Sequence, residues 1–236
     1  MAPHVDLDKF NLPRYLATLP LFSNMREEEL QRLATGCQLH RMERGKLIFR
    51  AGEPCNEFHV TVLGQVKLFA LSPTGTEKVI ELCGPGHSFA EALMFLNAPY
   101  VISAQTLTDS LILTMDKNAV LREIHANPDF SLRMLAGLSR RLHGLIKDVE
   151  AYALHSGVQR VIGYLLGDRM SESEVASEAI VVSLPVSKAA IASRLSLTPE
   201  YFSRVLNELE TAGLIQVDKR DIHISDTARL ANYNPR

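Results

Sequence analysis

Residues 187–209 constrain this chain more than any other stretch. Ser187 stands just before Lys188-Ala189-Ala190-Ile191, with Val186 ahead of it. A hydroxyl at that position satisfies an amide of the first helical turn, and Val186 with Ile191 forms a hydrophobic staple. The spacing predicts a helix over 188–195, then a turn of Ser196, Leu197 and Thr198. Thr198 repeats the cap, and Leu197 with Phe202 repeats the staple. Pro199 falls at the first helical position, where its missing amide costs nothing. Two capped helices joined by a three-residue turn predict a helix-turn-helix.

The second helix has two faces. Phe202, Val205, Leu206 and Leu209 recur at helical spacing and point inward. Glu200, Ser203, Arg204 and Asn207 share the opposite face. Arginine can grip guanine through O6 and N7, and glutamate can accept from cytosine N4. These residues lie near the helix start, where a recognition helix meets the major groove. The same quartet also fits a solvated face with a Glu200–Arg204 ion pair. The residues beyond the helix favour DNA: Gly213 ends it, and 214–217 and 221–224 form a two-stranded wing around Asp218-Lys219-Arg220. Lys219 and Arg220 at its tip suit phosphate contact. The formal net charge of −2 counts mildly against such a partner. Locally, however, Lys188, Arg194 and Arg204 outweigh Glu200, and DNA contact needs only a positive face.

Upstream lie two other textures. After a short helix over 26–37, β-rich runs at 46–50, 57–63, 65–71, 78–82, 100–107 and 110–115 alternate with turn residues. Gly64 splits two runs as tightly as a hairpin does. Many short strands at this spacing predict a jelly roll or small barrel able to enclose a small molecule. Residues 117–155 read as a long helix. In it Leu135, Leu138, Leu142, Leu145, Val149 and Tyr152 form a heptad seam, with Arg140, His143, Lys147, Asp148 and Glu150 around it. The seam suits a homodimer, since two-fold DNA readers need one; packing on the chain's own roll is the alternative. Ser156 caps a further helix to about 169, and 171–179 is a polar loop. The resulting division is an α+β chain: sensor roll 1–116, dimerisation helix 117–155, winged helix-turn-helix 156–236.

Other classes are disfavoured. No apolar run approaches the roughly 18 residues of a membrane span. Asp6, Asp8, Lys9, Pro13 and Arg14 interrupt any signal-peptide core, so a cytoplasmic location is expected. Cys37, Cys55 and Cys83 match no metal-binding spacing. No nucleophile elbow, phosphate loop or HExxH pair is present, so no enzyme is expected.

These stretches together resemble the Crp/Fnr superfamily of bacterial regulators from Leu19 to Leu230. The resemblance rests on LPLFSNMREEELQRLA at 19–34, GKLIFRAGEP at 45–54, FAEALMF at 89–95 and TPEYFSRVLNELETAGLI at 198–215. It implies a cyclic-nucleotide-binding-like roll, a homodimer, double-stranded DNA as ligand and RNA polymerase as partner. Cyclic-AMP binders of the superfamily pair a glutamate with an arginine about ten residues on. Glu91 matches the glutamate, but Tyr100-Val101-Ile102 holds no basic residue, so cyclic AMP is not expected. An iron–sulfur cluster needs four thiolates, and the chain has three cysteines, none before Cys37. Glu200, Ser203 and Arg204 match the Fnr-type reader, which implies TTGAT-like inverted half-sites. Pro199 replaces the arginine of cyclic-AMP regulators. SFAEALMF followed by VISAQ is similar to the Dnr/NnrR branch. That branch implies nitric-oxide sensing through haem b and activation of denitrification or nitrosative-stress genes. His87, beside the 84–86 turn, is the leading haem-ligand candidate, with Phe89, Glu91 and Met94 lining the effector pocket. His40, His59, His143, His155 and Cys83 are further candidates. A different small-molecule effector, or a winged helix that contacts protein, stays open.

Overall fold

The computed structural model describes residues 10–20, 22, 25–167 and 178–233. The chain divides into two compact units, with the boundary between Leu145 and Ile146.

In the first unit, α1 (Leu12–Thr18) and α2 (Glu27–Ala34) precede the roll. The Asn11 side chain accepts from the Arg14 amide at 3.0 Å to start α1. In α2 the Glu29 carboxylate reaches back to the Arg26 amide at 2.7 Å. Two four-stranded antiparallel sheets make up the roll. One runs β1 (Cys37–Met42), β8 (Ser110–Asp116), β3 (Glu57–Leu63), β6 (Ser88–Phe89). The other runs β2 (Leu47–Phe49), β7 (Ser103–Thr106), β4 (Val66–Leu71), β5 (Glu77–Cys83). Phe58, Phe89, Met94, Ile112, Leu113 and Met115 are fully buried in its core. Gly64 closes the β3–β4 turn with φ 88°, and a Cβ there would lie 2.2 Å from Ser110 Oγ. Only glycine fits both the left-handed backbone and that approach.

Two strands, β1 and β6, were not expected. β1 carries exposed Gln38, His40 and Arg41, so no apolar run marks it. It forms because β8 offers a long partner edge, in register from Cys37↔Met115 to Met42↔Ser110. α3 (Glu91–Leu96) follows β6 and starts from Ala90, whose φ is 72°.

The expected unbroken helix over 117–155 is corrected to two. α4 (Lys117–Ala126) ends at Asn127, which is extended at φ −141° and ψ 95°, and α5 (Pro128–Leu154) begins at proline. A proline disfavours the helical conformation in the residue before it and brings no amide of its own, so the break falls there. Phe130 from α5 stacks on Phe22, with centroids 5.7 Å apart.

The second unit holds the last turns of α5, then α6 (Gly157–Leu166), β9 (Ile180–Ser183), α7 (Lys188–Arg194) and α8 (Pro199–Thr211). β10 (Ile215–Asp218), β11 (Asp221–Ile224) and α9 (Thr227–Ala231) complete it. Ser156 and Gln159 form the capping box of α6, which stops at Leu166 rather than near 169 because Gly167 takes φ 56°. The expected 171–179 loop lies outside the described residues except for its last two. The wing hairpin gains a third strand, in the order β10-β11-β9. Val161, Ile191, Phe202, Leu209, Ile222 and Leu230 fill the core. The α+β succession of roll, long helix and winged helix-turn-helix is the one the sequence indicates.

Candidate nucleic-acid interface and sensor roll

The local sequence builds the α7–α8 pair almost unaided. Ser187 Oγ accepts from the Ala190 amide at 3.3 Å, and Thr198 Oγ1 accepts from the Tyr201 amide at 3.2 Å. Between the helices Ser196 turns the backbone left-handed at φ 55°, and the Leu197 amide donates to Ala192 O at 2.9 Å. Phe202, Val205, Leu206 and Leu209 are buried. Glu200, Ser203, Arg204 and Asn207 are exposed. Among the described residues no ion pair joins Glu200 to Arg204. The Arg204 guanidinium lies 4.8 Å above the Tyr201 ring, a cation–π contact.

A cleft of about 430 Å³ opens beside the start of α8, lined by Gly157, Arg160, Ser196, Thr198, Tyr201 and Arg204. Gly157 is required there, since a Cβ would lie 2.5 Å from Tyr201 Cε1. The guanidinium groups of Arg160 and Arg204 meet the Glu200 carboxylate in this lining, and the helix start adds its partial positive charge. Lys188 is half-buried, while Lys219 (φ 55°) and Arg220 are exposed at the wing tip.

Arg194 does not add to that positive face. Its Nη2 donates to Asp148 Oδ2 at 2.6 Å and its Nη1 to Tyr152 Oη at 2.5 Å. Tyr152 Oη in turn donates to Arg194 O at 2.5 Å, and burial pushes the phenol pKa up, which keeps that proton in place. This latch, with Arg160 Nη1 donating to Leu195 O at 2.6 Å, fixes α7 to the end of α5 and to α6. Tyr152 therefore sits at the heptad spacing, but its hydroxyl is engaged within the same unit. The other seam positions remain uncovered in the single chain: Leu135, Leu142, Leu145 and Val149 are exposed, and Leu138 is half-buried.

In the sensor unit, the sequence-selected pocket residues separate. Phe89 and Met94 are fully buried, and Glu91 is buried and accepts from Ser88 Oγ at 2.5 Å. His87 lies exposed on the 84–86 turn, its Nδ1 3.3 Å from Gly84 O. His40, His143 and His155 are also exposed, whereas Cys83 is buried.

The buried imidazole is His59. Its ring packs against both Phe49 and Phe89, each centroid 5.2 Å away and the two phenylalanine rings 6.2 Å from each other, and Phe49 stacks on Tyr100 at 3.7 Å. His59 Nε2 lies 3.2 Å from Tyr100 Oη, which donates to Glu57 O at 3.2 Å. That assignment puts the proton on Nε2 and leaves Nδ1 as a lone pair with no partner among the described residues. Burial holds the ring neutral, its pKa pushed down to about 3. A neutral imidazole nitrogen is a donor type that haem iron takes, and this one lies 1% exposed against Phe49 and Phe89. The sequence offers His59 only as one histidine among several near the roll or the long helix, because the aromatic rings around it come from β2, β6 and the segment before β7.

The comparisons agree with this anatomy. Residues 39–127 match the family model of the cyclic nucleotide-binding domain, and residues 159–233 match that of the Crp-like helix-turn-helix domain. A CRP-like cAMP-activated global transcriptional regulator of Mycobacterium tuberculosis is 26% identical over 92% of this chain and 96% of its own length. The crystal structure of DNR from Pseudomonas aeruginosa is 36% identical, covering 92% of this chain and 95% of that one, with a TM-score of 0.50. A putative cyclic nucleotide binding protein from Ruegeria pomeroyi is 29% identical over 94% of this chain and 96% of that one, with a TM-score of 0.62. The chain belongs to the Crp/Fnr family: it is a Crp-like DNA-binding transcription regulator with a small-molecule-sensing domain. Curated relatives are named as regulators, among them the transcriptional regulator of Mycobacterium tuberculosis and a global nitrogen regulator of Synechococcus elongatus. No helix among the described residues is long and apolar enough to cross a membrane.

Proposed function

We propose that this chain is a homodimeric, cytoplasmic activator that reads a TTGAT-like inverted repeat and answers nitric oxide through haem b in its sensor roll. Denitrification or nitrosative-response genes are its targets, and RNA polymerase is its partner at the promoter. The observation that carries the DNA reading is the exposed Glu200-Ser203-Arg204 face at the start of a doubly capped recognition helix. The effector reading is supported by the 36% identity to DNR along nearly the whole chain and by the bare Nδ1 of His59. Cyclic AMP is disfavoured because Tyr100, in the segment where its arginine would fall, is buried and bonded to His59 and Glu57.

Bound haem supplies an iron centre to which nitric oxide binds. The chain's own part is to exclude water with Phe49, Phe89 and Met94 and to present a neutral imidazole; His87 is a second candidate donor, at the surface. The exposed leucines of α5 pair two copies, so that two recognition helices meet half-sites about one DNA turn apart. An effector changes affinity only by as much as it favours one conformation over another.

The test is DNA binding to a TTGAT palindrome, with and without haem and nitric oxide. Wild type binds the palindrome only in the presence of haem and nitric oxide. Arg204→Ala loses about 1–3 kcal/mol, roughly 5- to 150-fold in Kd, while its fold is retained. Binding that ignores haem and nitric oxide moves the effector to another small molecule. Absence of any palindrome preference would leave the winged helix as a protein-contact surface.

A further inference from the structure

One cation of the sensor unit lacks a counterion where it is covered. Arg133 lies on α5 between Phe130, which is fully buried, and Met134, which is nearly so. The residue is half-buried, its Nε and Nη2 atoms are shielded from solvent, and among the described residues no acceptor reaches them. Those two N–H groups point in parallel along one edge of the guanidinium, the edge that holds a carboxylate or phosphate with two hydrogen bonds. The buried carboxylates of the unit are already engaged. Glu29 takes Arg26 and Asn127, Glu123 takes Arg32, and Glu91 takes Ser88. A covered charge with an empty bidentate edge is a costly arrangement unless something fills it.

We infer that Arg133 anchors an anion site of the sensor unit, and that its occupant presents a carboxylate or phosphate group to the Nε–Nη2 edge. The site is defined by Arg133 and not by Glu91 or Ser88. It needs no haem, although a haem propionate carries the same chemistry as a free small oxyanion.

The test is thermal unfolding of the full-length protein in phosphate or succinate against chloride at constant ionic strength. The oxyanions raise the Tm of wild type saturably, by roughly 5–10 °C at about 100-fold over Kd, and chloride does not. Arg133→Gln abolishes the rise. Arg133→Met is at least as stable as wild type in chloride and indifferent to oxyanions, because it removes an uncompensated charge. For a propionate source, free oxyanions leave the Tm unchanged, and wild type binds haem at least tenfold more tightly than its dimethyl ester, a preference that Arg133→Gln erases. No oxyanion shift together with no preference over the ester overturns the proposal. So does an equal shift in Arg133→Gln, or a dimer that falls apart in Arg133→Gln, which would show that a second copy's carboxylate already fills the edge. Failure of wild type to take up haem at all removes the haem reading alone, since the phosphate and succinate series then decides the anion site.

Discussion

The DNA-reading pair α7–α8 keeps its chemistry outside, and the sensor unit keeps its chemistry inside. Glu200, Ser203, Arg204 and Asn207 are exposed on a helix held from behind by four apolar side chains. His59, Glu91 and the Nε–Nη2 edge of Arg133 are covered. An exposed reader can be specified locally, because each side chain needs only a helical position and a cap. A buried sensor is assembled from distant strands, so its selectivity lies in which polar groups have been left without a partner.

The contrast is broken most severely at the support rather than at the reading face. Phe202 is fully buried beneath α8. Phe202→Ala costs about 3–5 kcal/mol, enough to unfold much of a marginal unit. Denaturant unfolding followed by circular dichroism should show an early transition, with DNA binding lost in parallel. An unchanged midpoint would mean that α8 is held by its caps.

The next largest effect distinguishes the roll. His59 is neutral when folded, with its pKa near 3, and titrates near 6.5 when unfolded. Between those values the unfolded state binds the extra proton, so the stability is complete above about pH 6.5 and falls as pH drops toward 3. One proton corresponds to about 1.4 kcal/mol per pH unit, or about 2 kcal/mol by pH 5. His59→Phe should flatten that limb in urea titrations at pH 5–7. A slope equal to wild type would place the acid sensitivity elsewhere.

What the sequence discloses obeys the same division. Both caps, the staples and the two faces of α8 are legible, because they depend on residues within seven positions of each other. Six roll strands are legible through their turns. β1 and β6 are not, since each is defined by a partner strand rather than by its own pattern. The break at Asn127–Pro128 carried a local signal, the proline, which the apolar periodicity on either side obscured. The stack of Phe49, His59, Phe89 and Tyr100 joins positions up to 51 residues apart (from 49 to 100) and arises from no local pattern.

A smaller effect sharpens the comparison at the latch. Tyr152→Phe removes the hydroxyl that donates to Arg194 O and accepts from Arg194 Nη1. The expected loss is about 1–2 kcal/mol, because Asp148 still holds Nη2. Hydrogen exchange should rise at the amides of α7 and stay unchanged in the β3–β8 ladder. Equal protection in α7 would show that Ile191 and its apolar neighbours hold the helix without the latch.

The smallest effect isolates how local the reader is. Thr198 caps α8 through one hydroxyl on the Tyr201 amide, and Pro199 already sets the backbone of the first turn. Thr198→Ala should cost about 1 kcal/mol, while Thr198→Ser keeps the acceptor and costs less. Because Glu200, Ser203 and Arg204 sit within the first turns of α8, fraying there disorders the reading face before it unfolds the unit. Palindrome affinity should therefore fall several-fold in Thr198→Ala and recover in Thr198→Ser, with the Tm moving only a few degrees. If Thr198→Ala binds DNA as wild type does, Pro199 and the packing of Tyr201 against Gly157 suffice to hold the helix start. The geometry of the reader would then depend on α6 as well as on its own sequence.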